Sequence, residues 1–138
     1  MHTDGLRKQH QEILALLTEL QAFLDNAEHV ARECQQIRKL LIQLYGKVQI
    51  HLSMEDNILY PKMINGFDPE LSQMAMDLQA EMGTLKQTFS RYIQHWMSDQ
   101  IQAYAQEFIF QSTAIFQGLH QRIEAENNQL YLLYERIY

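Results

Sequence analysis

Cysteine and proline are scarce in this 138-residue chain, which contains only Cys34, Pro61 and Pro69 of these two types. A single cysteine excludes an internal disulfide and leaves a cysteine-ligated zinc site without its thiolates. We therefore expect a reducing, cytoplasmic setting. The two prolines flank the run of residues 64–68, which is the clearest break in the sequence and divides it into two halves.

Positive charge is also in short supply. Eleven Lys and Arg residues stand against seventeen Asp and Glu, which gives a formal charge of -6, and the basic residues form no cluster. Nucleic acids and anionic lipids both attract concentrated positive charge, so neither is an expected partner. No stretch approaches the roughly 18 consecutive apolar residues of a membrane-spanning helix, and the first residues show no signal peptide. We expect no membrane anchor.

Strand signals are absent too, because no alternating runs of β-branched residues are bounded by turns. Helix formers such as Gln, Leu, Glu and Ala dominate, and 46% of the residues are hydrophobic. This length and composition fit one domain with its own core. The sequence therefore predicts an all-α protein in which residues 1–138 form a single domain.

Four helical segments are predicted from the breaks in the chain. Thr3 or Asp4 is a candidate N-cap of the first segment, and weaker breaks lie at residues 24–26 and 97–99. Asp68 followed by Pro69 is a good cap with proline at the first helical position, so the third segment should begin there. Short connections between the segments favour an up-down-up-down four-helix bundle.

Each segment carries an apolar stripe with helical spacing, and polar residues interrupt every stripe. His10 lies in the first stripe, Glu81 in the third and Glu126 in the fourth. The second stripe consists of Ile37, Leu41, Leu44, Val48, His51, Glu55 and Ile58. We therefore predict that five polar residues face the core of the bundle, namely His10, His51, Glu55, Glu81 and Glu126.

These five residues should lie close to a common layer. With a rise of about 1.5 Å per residue, all of them fall about 10 to 18 Å from one end of an up-down-up-down bundle. Three carboxylates in a core would repel one another and lose their hydration, unless cations or protons neutralise them. A metal ion does so directly, and mixed imidazole and carboxylate ligands suit iron, manganese or zinc. The competing explanation is a metal-free network in which Arg122 supplies the charge.

The run of residues 51–61, His-Leu-Ser-Met-Glu-Asp-Asn-Ile-Leu-Tyr-Pro, resembles the bacterial hemerythrin-like, or HHE cation-binding, domain when taken with His10 upstream. Residues 122–131 carry a related pattern, so the resemblance covers nearly the whole chain. It implies a four-helix bundle with a non-haem di-iron site that binds oxygen or senses oxygen, iron or redox state. The ligand positions that match are His10, His51, Glu55 and Glu126.

The sequence departs from the family pattern at three ligand positions. The third helix of the family normally supplies histidine, and the matching residues are Leu78 and Met82. The histidine expected four residues before the last carboxylate is Arg122, while Glu81 could substitute as a ligand. Three alternatives follow: a two-metal site richer in carboxylate, a single-metal site, and a site without metal in which Arg122 neutralises the charge.

The remaining polar and aromatic candidates have simpler interpretations. Tyr60 and Tyr131 are interpreted as packing aromatics, with hydrogen bonding to the ligand carboxylates as the alternative. His120 and Glu124 have the spacing of a ligand pair, but they lie off the main stripe, and this spacing is common on solvated helix faces. Three further histidines are predicted to face solvent: His2, His29 and His95.

The functional prediction is a non-catalytic metal-binding protein, with one or two iron ions as the expected cofactor and manganese or zinc as alternatives. Its site would bind oxygen or another small ligand, or sense iron or redox state. The alternative is a metal-free helical interaction module with a degenerate site. An enzyme that uses the metal for peroxide or oxygen chemistry is a third hypothesis, but no substrate-binding motif supports it.

Overall fold

The computed structural model describes residues 3–138, and within that range the chain is helical with no strand. His2, predicted to face solvent, lies outside this range. The longer helices form four continuous rods, over residues 4–21, 34–64, 69–96 and 105–137. The second and the fourth rod each contain a π-helical segment. The elements in chain order are α1 (Asp4–Gln21), α2 (Ala27–Arg32), α3 (Cys34–Met54), a first π segment (Glu55–Leu59), α4 (Tyr60–Ile64), α5 (Pro69–Trp96), α6 (Ala105–Ala125), a second π segment (Glu126–Leu130) and α7 (Tyr131–Ile137).

Helix ends lie where the sequence signals them. The Asp68 side chain accepts a hydrogen bond from the Leu71 amide, with Pro69 at the first helical position, so the predicted start of the third long helix is confirmed. Thr3 occupies the N-cap position of α1, but its side chain makes no capping hydrogen bond. Its hydroxyl donates instead to Glu135, near the end of α7.

Contacts between neighbouring helices show that they run antiparallel. The Gln9 amide donates to the Met54 sulfur over 3.0 Å, while the Lys47 ammonium lies 3.3 Å from a Glu12 carboxylate oxygen, so residue numbers rise along α1 as they fall along α3. At the other end of the chain, Arg7 pairs with Glu135 and brings α7 back to α1.

The second helix pair has the same arrangement. Tyr92 on α5 hydrogen bonds Ser112 on α6, and Glu81 lies near Arg122 further along. The four long rods therefore alternate in direction around a common axis, and the predicted all-α bundle is confirmed. Among the described residues, none of the helices combines the length and the apolar character that crossing a membrane requires.

The apolar core has two parts, and a polar layer separates them. The first cluster includes Ile13, Val48 and Ile123, and the second includes Leu6 and Leu130. On three of the four rods, buried polar residues stand between a residue of one cluster and a residue of the other: His10 on the first, His51 and Glu55 on the second, and Glu126 on the fourth. Packing on both sides therefore holds the layer in place and keeps it dry.

The π segments change which side chains face the core. Ile58, predicted to continue the apolar stripe, is 64% exposed, whereas Leu59 and Tyr60 are buried. The prediction was wrong because a wider turn interrupts the α-helical spacing at Glu55–Leu59. The extra residue rotates every later side chain by about 100° relative to a regular helix.

Candidate metal centre

Four of the five predicted residues meet in the core. His10, His51, Glu55 and Glu126, which we call the polar cluster, are each no more than 3% exposed. Each offers one ligand atom, and the four atoms all lie within 4.8 Å of one another. They come from three rods, since His10 lies on α1, His51 lies near the end of α3 with Glu55 opening the first π segment, and Glu126 opens the second π segment.

The two π segments place a carboxylate and a tyrosine on the same side of a rod. Glu55 begins the first segment and Glu126 begins the second, and a buried tyrosine follows five residues later, at Tyr60 and Tyr131. Residues five apart point about 140° away from each other in a regular α-helix, whereas the wider π turn brings them close to one face. The sequence pattern Glu-x-Asn-x-Leu-Tyr spans both segments.

The outer nitrogen of each histidine ring is held by a side-chain amide. His10 Nδ1 lies 2.7 Å from the Asn127 Oδ1 atom, and His51 Nδ1 lies 2.9 Å from the Gln9 Oε1 atom. An amide oxygen can only accept, so both Nδ1 atoms carry a proton and donate it. The inner Nε2 atoms are then left with lone pairs aimed into the cluster, as metal-ligating histidines require.

The inner atoms are closer than their lone pairs allow unless a proton or a metal ion lies among them. His10 Nε2 is 2.9 Å from His51 Nε2 and 2.9 Å from Glu126 Oε1, and His51 Nε2 is 3.0 Å from Glu55 Oε1. Neighbouring ligands of an ion bound at about 2.1 Å lie about 3 Å apart when they subtend a right angle. Glu55 Oε1 is also buried without a hydrogen-bond partner. The donor set therefore fits a metal ion.

The outer oxygen of each carboxylate is held by a tyrosine from the opposite half of the chain. The Tyr60 hydroxyl donates to Glu126 Oε2 over 2.7 Å, and the Tyr131 hydroxyl donates to Glu55 Oε2 over 2.9 Å. Burial and the charges of the two carboxylates raise the pKa of both tyrosines, so the hydroxyls stay protonated as donors. Both tyrosines pack and donate, so the interpretation of packing alone was incomplete.

Protons can balance the cluster in part when no metal is bound. Burial lowers the pKa of His51, but hydrogen bonds and charge from Glu126 and Glu55 outweigh it and raise the pKa to about 9. Burial and the Glu126 charge raise the pKa of Glu55 to about 8. Burial opposes the ionisation of Glu126, yet hydrogen bonds from His10 and His51 hold its pKa well below the usual range. The metal-free cluster thus retains a charged carboxylate beside a protonated imidazole.

Glu81, the fifth predicted residue, does not join the cluster. Its side chain is 74% exposed, and its Oε2 atom lies 3.8 Å from Arg122 Nη1. The expectation that Glu81 faces the core was wrong because the neighbouring Met82 is buried in its place. Residues 81 and 82 differ by about 100° on the helix, and burying the thioether spares the desolvation of a carboxylate.

Arg122 is buried one turn before Glu126 and touches the cluster from one side. Its Nη2 atom donates to the Tyr60 hydroxyl over 2.7 Å, and its Nε atom lies 3.5 Å from Glu126 Oε2. Neither Nε nor Nη1 has a hydrogen-bond partner. Arg122 is therefore buried beside Glu126, as the metal-free alternative predicted. It lies next to the Oε2 atom, on the side of the carboxylate that faces away from the histidines.

The other candidate residues lie outside the site. His120 and Glu124 are exposed on α6 with 3.6 Å between His120 Nδ1 and Glu124 Oε1, as expected for a solvated pair. His95 is exposed, whereas His29 is half-buried and its Nδ1 lies 2.6 Å from Asp25. Within the described residues, the polar cluster is the one group of histidine, cysteine and acidic side chains able to hold a metal ion.

Comparison with known families agrees with this geometry. The model of the hemerythrin HHE cation binding domain matches residues 1–134. The chain belongs to this family, which defines it as a hemerythrin-like helical protein of a cation-binding class. No curated protein and no solved structure gives a significant match. Family membership and the buried ligand set together indicate metal-ion binding at a site that His10, His51, Glu55 and Glu126 could form.

Proposed function

We propose that this protein is a non-catalytic carrier or sensor built on a non-haem metal site, with iron as the metal and manganese or zinc as the alternatives. The convergence of two inward-facing imidazole nitrogens and two carboxylate oxygens in a buried core carries the proposal. Imidazole with carboxylate is a ligand set that suits iron. Bound iron would supply redox chemistry and an attachment point for a small ligand such as dioxygen.

A small cavity beside the cluster supports a small ligand. Its volume is about 20 Å³, and His51 and Glu126 lie in its wall. A cavity of roughly 10 to 15 Å³ holds one water molecule, so this cavity has room for a single molecule of the size of water or dioxygen. The remaining wall contains the two cations Lys86 and Arg122 and is otherwise apolar, with Ile13, Val48, Leu52, Met82, Leu85, Phe89, Leu119 and Ile123. The apolar part of this lining favours an uncharged diatomic over water.

The residues of this chain have distinct tasks in the proposed site. Asn127 and Gln9 hold the histidine rings in the tautomer that presents Nε2. Tyr60 and Tyr131 fix the carboxylates by their outer oxygens. The apolar clusters on either side exclude water, which strengthens every electrostatic interaction in the layer. None of these tasks requires a substrate to be transformed, so the proposed role is binding or sensing.

Anaerobic reconstitution with ferrous iron, followed by cycles of oxygen and vacuum, tests this proposal. We expect an absorption spectrum that changes with oxygen in the native protein and is lost in the His51→Ala variant. The His120→Ala variant is the matched control, because it removes an exposed histidine outside the site. A native protein that takes up only traces of iron, manganese and zinc would overturn the proposal.

The competing function is a metal-free helical interaction module. One observation favours it: Arg122 is buried against Tyr60 and Glu126 and contributes a permanent positive charge. This alternative predicts that Arg122→Ala destabilises the fold whereas chelators have no effect. Loss of stability on chelation eliminates it, while sustained turnover of peroxide by loaded protein would favour an enzyme instead.

The single cysteine is the reason to place the protein in a reducing, cytoplasmic setting.

A further inference from the structure

We propose that the polar cluster holds one metal ion, and that the guanidinium of Arg122 takes the place of the second cation that a two-metal site would contain. This inference rests on the proposed metal-binding function and deepens it by fixing how many ions the site accepts. It departs from the pair of irons that the family resemblance implies. Three features of the structure carry it.

The first feature is the engagement of the carboxylates. In the usual carboxylate bridge between two metal ions, one oxygen binds each ion, so both oxygens must be free. In this chain Glu55 Oε2 accepts from Tyr131 and Glu126 Oε2 accepts from Tyr60, and only the two Oε1 atoms face the histidines. Because a buried tyrosine hydroxyl donates to each of them, the outer oxygens are already in use. Each glutamate is therefore arranged to give one oxygen to one ion.

The second feature is the composition of the wall opposite the cluster. Helix α5 presents Leu78 and Met82 at this level, and both are buried. Leu78 packs in one apolar cluster and Met82 packs in the other, so together they cover the polar layer from this side. Glu81, the nearest acidic residue on α5, points to solvent. Within the described residues, α5 adds no ligand to the group that could hold a metal.

The third feature is the buried charge of Arg122. Its Nε atom lies 3.5 Å from Glu126 Oε2, and its Nη2 atom donates to the hydroxyl of Tyr60, which itself donates to the same oxygen. When both glutamates are ionised as metal ligands, the buried charges of Glu55, Glu126 and Arg122 sum to a single negative charge. Glu81 also lies 3.8 Å from Arg122, but its side chain is 74% exposed and solvent screens its charge. One divalent ion therefore already makes the buried layer positive. A second divalent ion would add two more positive charges to a buried site of low dielectric, which is strongly unfavourable.

Metal counting on the full chain tests the inference directly. After anaerobic loading with ferrous iron and removal of excess, we expect one iron per chain by elemental analysis. Oxidised protein should then show the electron paramagnetic resonance signal of an isolated high-spin ferric ion. Two irons per chain with a silent, coupled ferric pair would overturn the inference while leaving the proposed function intact. Absence of stoichiometric metal would overturn the proposed function itself and this inference with it.

Variants of Arg122 test its part separately. Arg122→Met removes the fixed charge and keeps an unbranched side chain, whereas Arg122→Lys keeps the charge. If the guanidinium opposes further positive charge at the cluster, the methionine variant binds ferrous iron at least about tenfold more tightly than the lysine variant. Equal affinities, or weaker binding by the methionine variant, would contradict this role. Arg91→Met, at an exposed position on α5, is the control and should bind iron as the native chain does.

Discussion

The Nε2 atoms of His10 and His51 lie 2.9 Å apart, while the Nδ1 atom of each ring faces an amide oxygen. Two neutral rings in this tautomer would point lone pairs at each other, so either a proton or a metal ion must lie between them. In the metal-free protein a proton can occupy this place, because the neighbouring glutamates raise the pKa of His51. With the carboxylates of Glu55 and Glu126, the same place could hold a metal ion.

Metal binding should stabilise the native fold. At a free metal concentration one hundred times the dissociation constant, the free energy of unfolding should rise by about 2.7 kcal/mol, because the unfolded chain does not assemble the site. Denaturant unfolding of stripped and loaded protein measures the difference. A chelator should reverse it. Identical unfolding curves with and without metal would contradict the prediction.

Loss of the amide that holds a histidine ring should weaken metal binding without removing a ligand. We expect Asn127→Ala to reduce metal affinity by about 10- to 100-fold, because the His10 ring loses the acceptor that fixes its tautomer. Competition titration with a coloured chelator gives the affinity. The control is Asn128→Ala, which changes the same residue type at the exposed neighbouring position of the second π segment. Equal losses in both variants would contradict the positioning role.

Removal of the Tyr131 hydroxyl should destabilise the metal-free protein more than a matched change elsewhere. Tyr131→Phe leaves the buried oxygen of Glu55 without its donor, and we expect a cost of about 1 to 3 kcal/mol. Tyr92→Phe removes a buried hydroxyl that pairs with the neutral Ser112, and should cost about 0.5 to 1.5 kcal/mol. Urea unfolding of both variants gives the comparison. A larger loss for Tyr92→Phe would contradict this account of the carboxylate.

The pairing of Arg7 with Glu135 should make part of the stability depend on pH. Hydrogen bonds from Arg7 hold the pKa of Glu135 below its ordinary value of 4.5. The contribution is therefore present above that value and is lost as the pH falls through the lowered pKa of the folded state. Both side chains are partly exposed, so we expect less than about 1 kcal/mol.

Unfolding of native protein and Glu135→Gln, from neutral pH to below pH 4.5, tests that dependence. The native chain should have the larger free energy of unfolding at neutral pH. The difference from the Glu135→Gln variant should shrink as the pH falls. A difference that grows on acidification would contradict the sign. Glu107→Gln on α6 provides a control at another exposed glutamate, and its effect should not follow this course.

Helical spacing was sufficient to predict the bundle and most of its core. The predicted stripe of the first helix places His10 between Leu6 and Ile13. In the structure Leu6 packs in one apolar cluster and Ile13 in the other, so His10 lies in the polar layer between them. His51, Glu55 and Glu126 were found in the same way, because each is a polar residue at an apolar position. Such residues stand out in a sequence without any knowledge of the fold.

Helical spacing alone could not predict how the π turns change the buried face. It also could not predict which of two adjacent residues is buried. A regular helix places Ile58 in the core, but the first π segment moves Leu59 and Tyr60 there. The bonds from Tyr60 and Tyr131 to the carboxylates depend on the same change of phase. Glu81 and Met82 fit their stripe almost equally well, and packing against neighbouring helices decides between them. The repeated Glu-x-Asn-x-Leu-Tyr pattern was the available signal for both tyrosines.

X-ray absorption at the metal edge of the loaded protein identifies the ligand atoms of the proposed site. We expect nitrogen and oxygen neighbours with imidazole scattering from His10 and His51, and loss of this spectrum in the His51→Ala variant. Ligation by sulfur from Cys34, or a spectrum that is the same in native protein and His51→Ala, would contradict the proposed site.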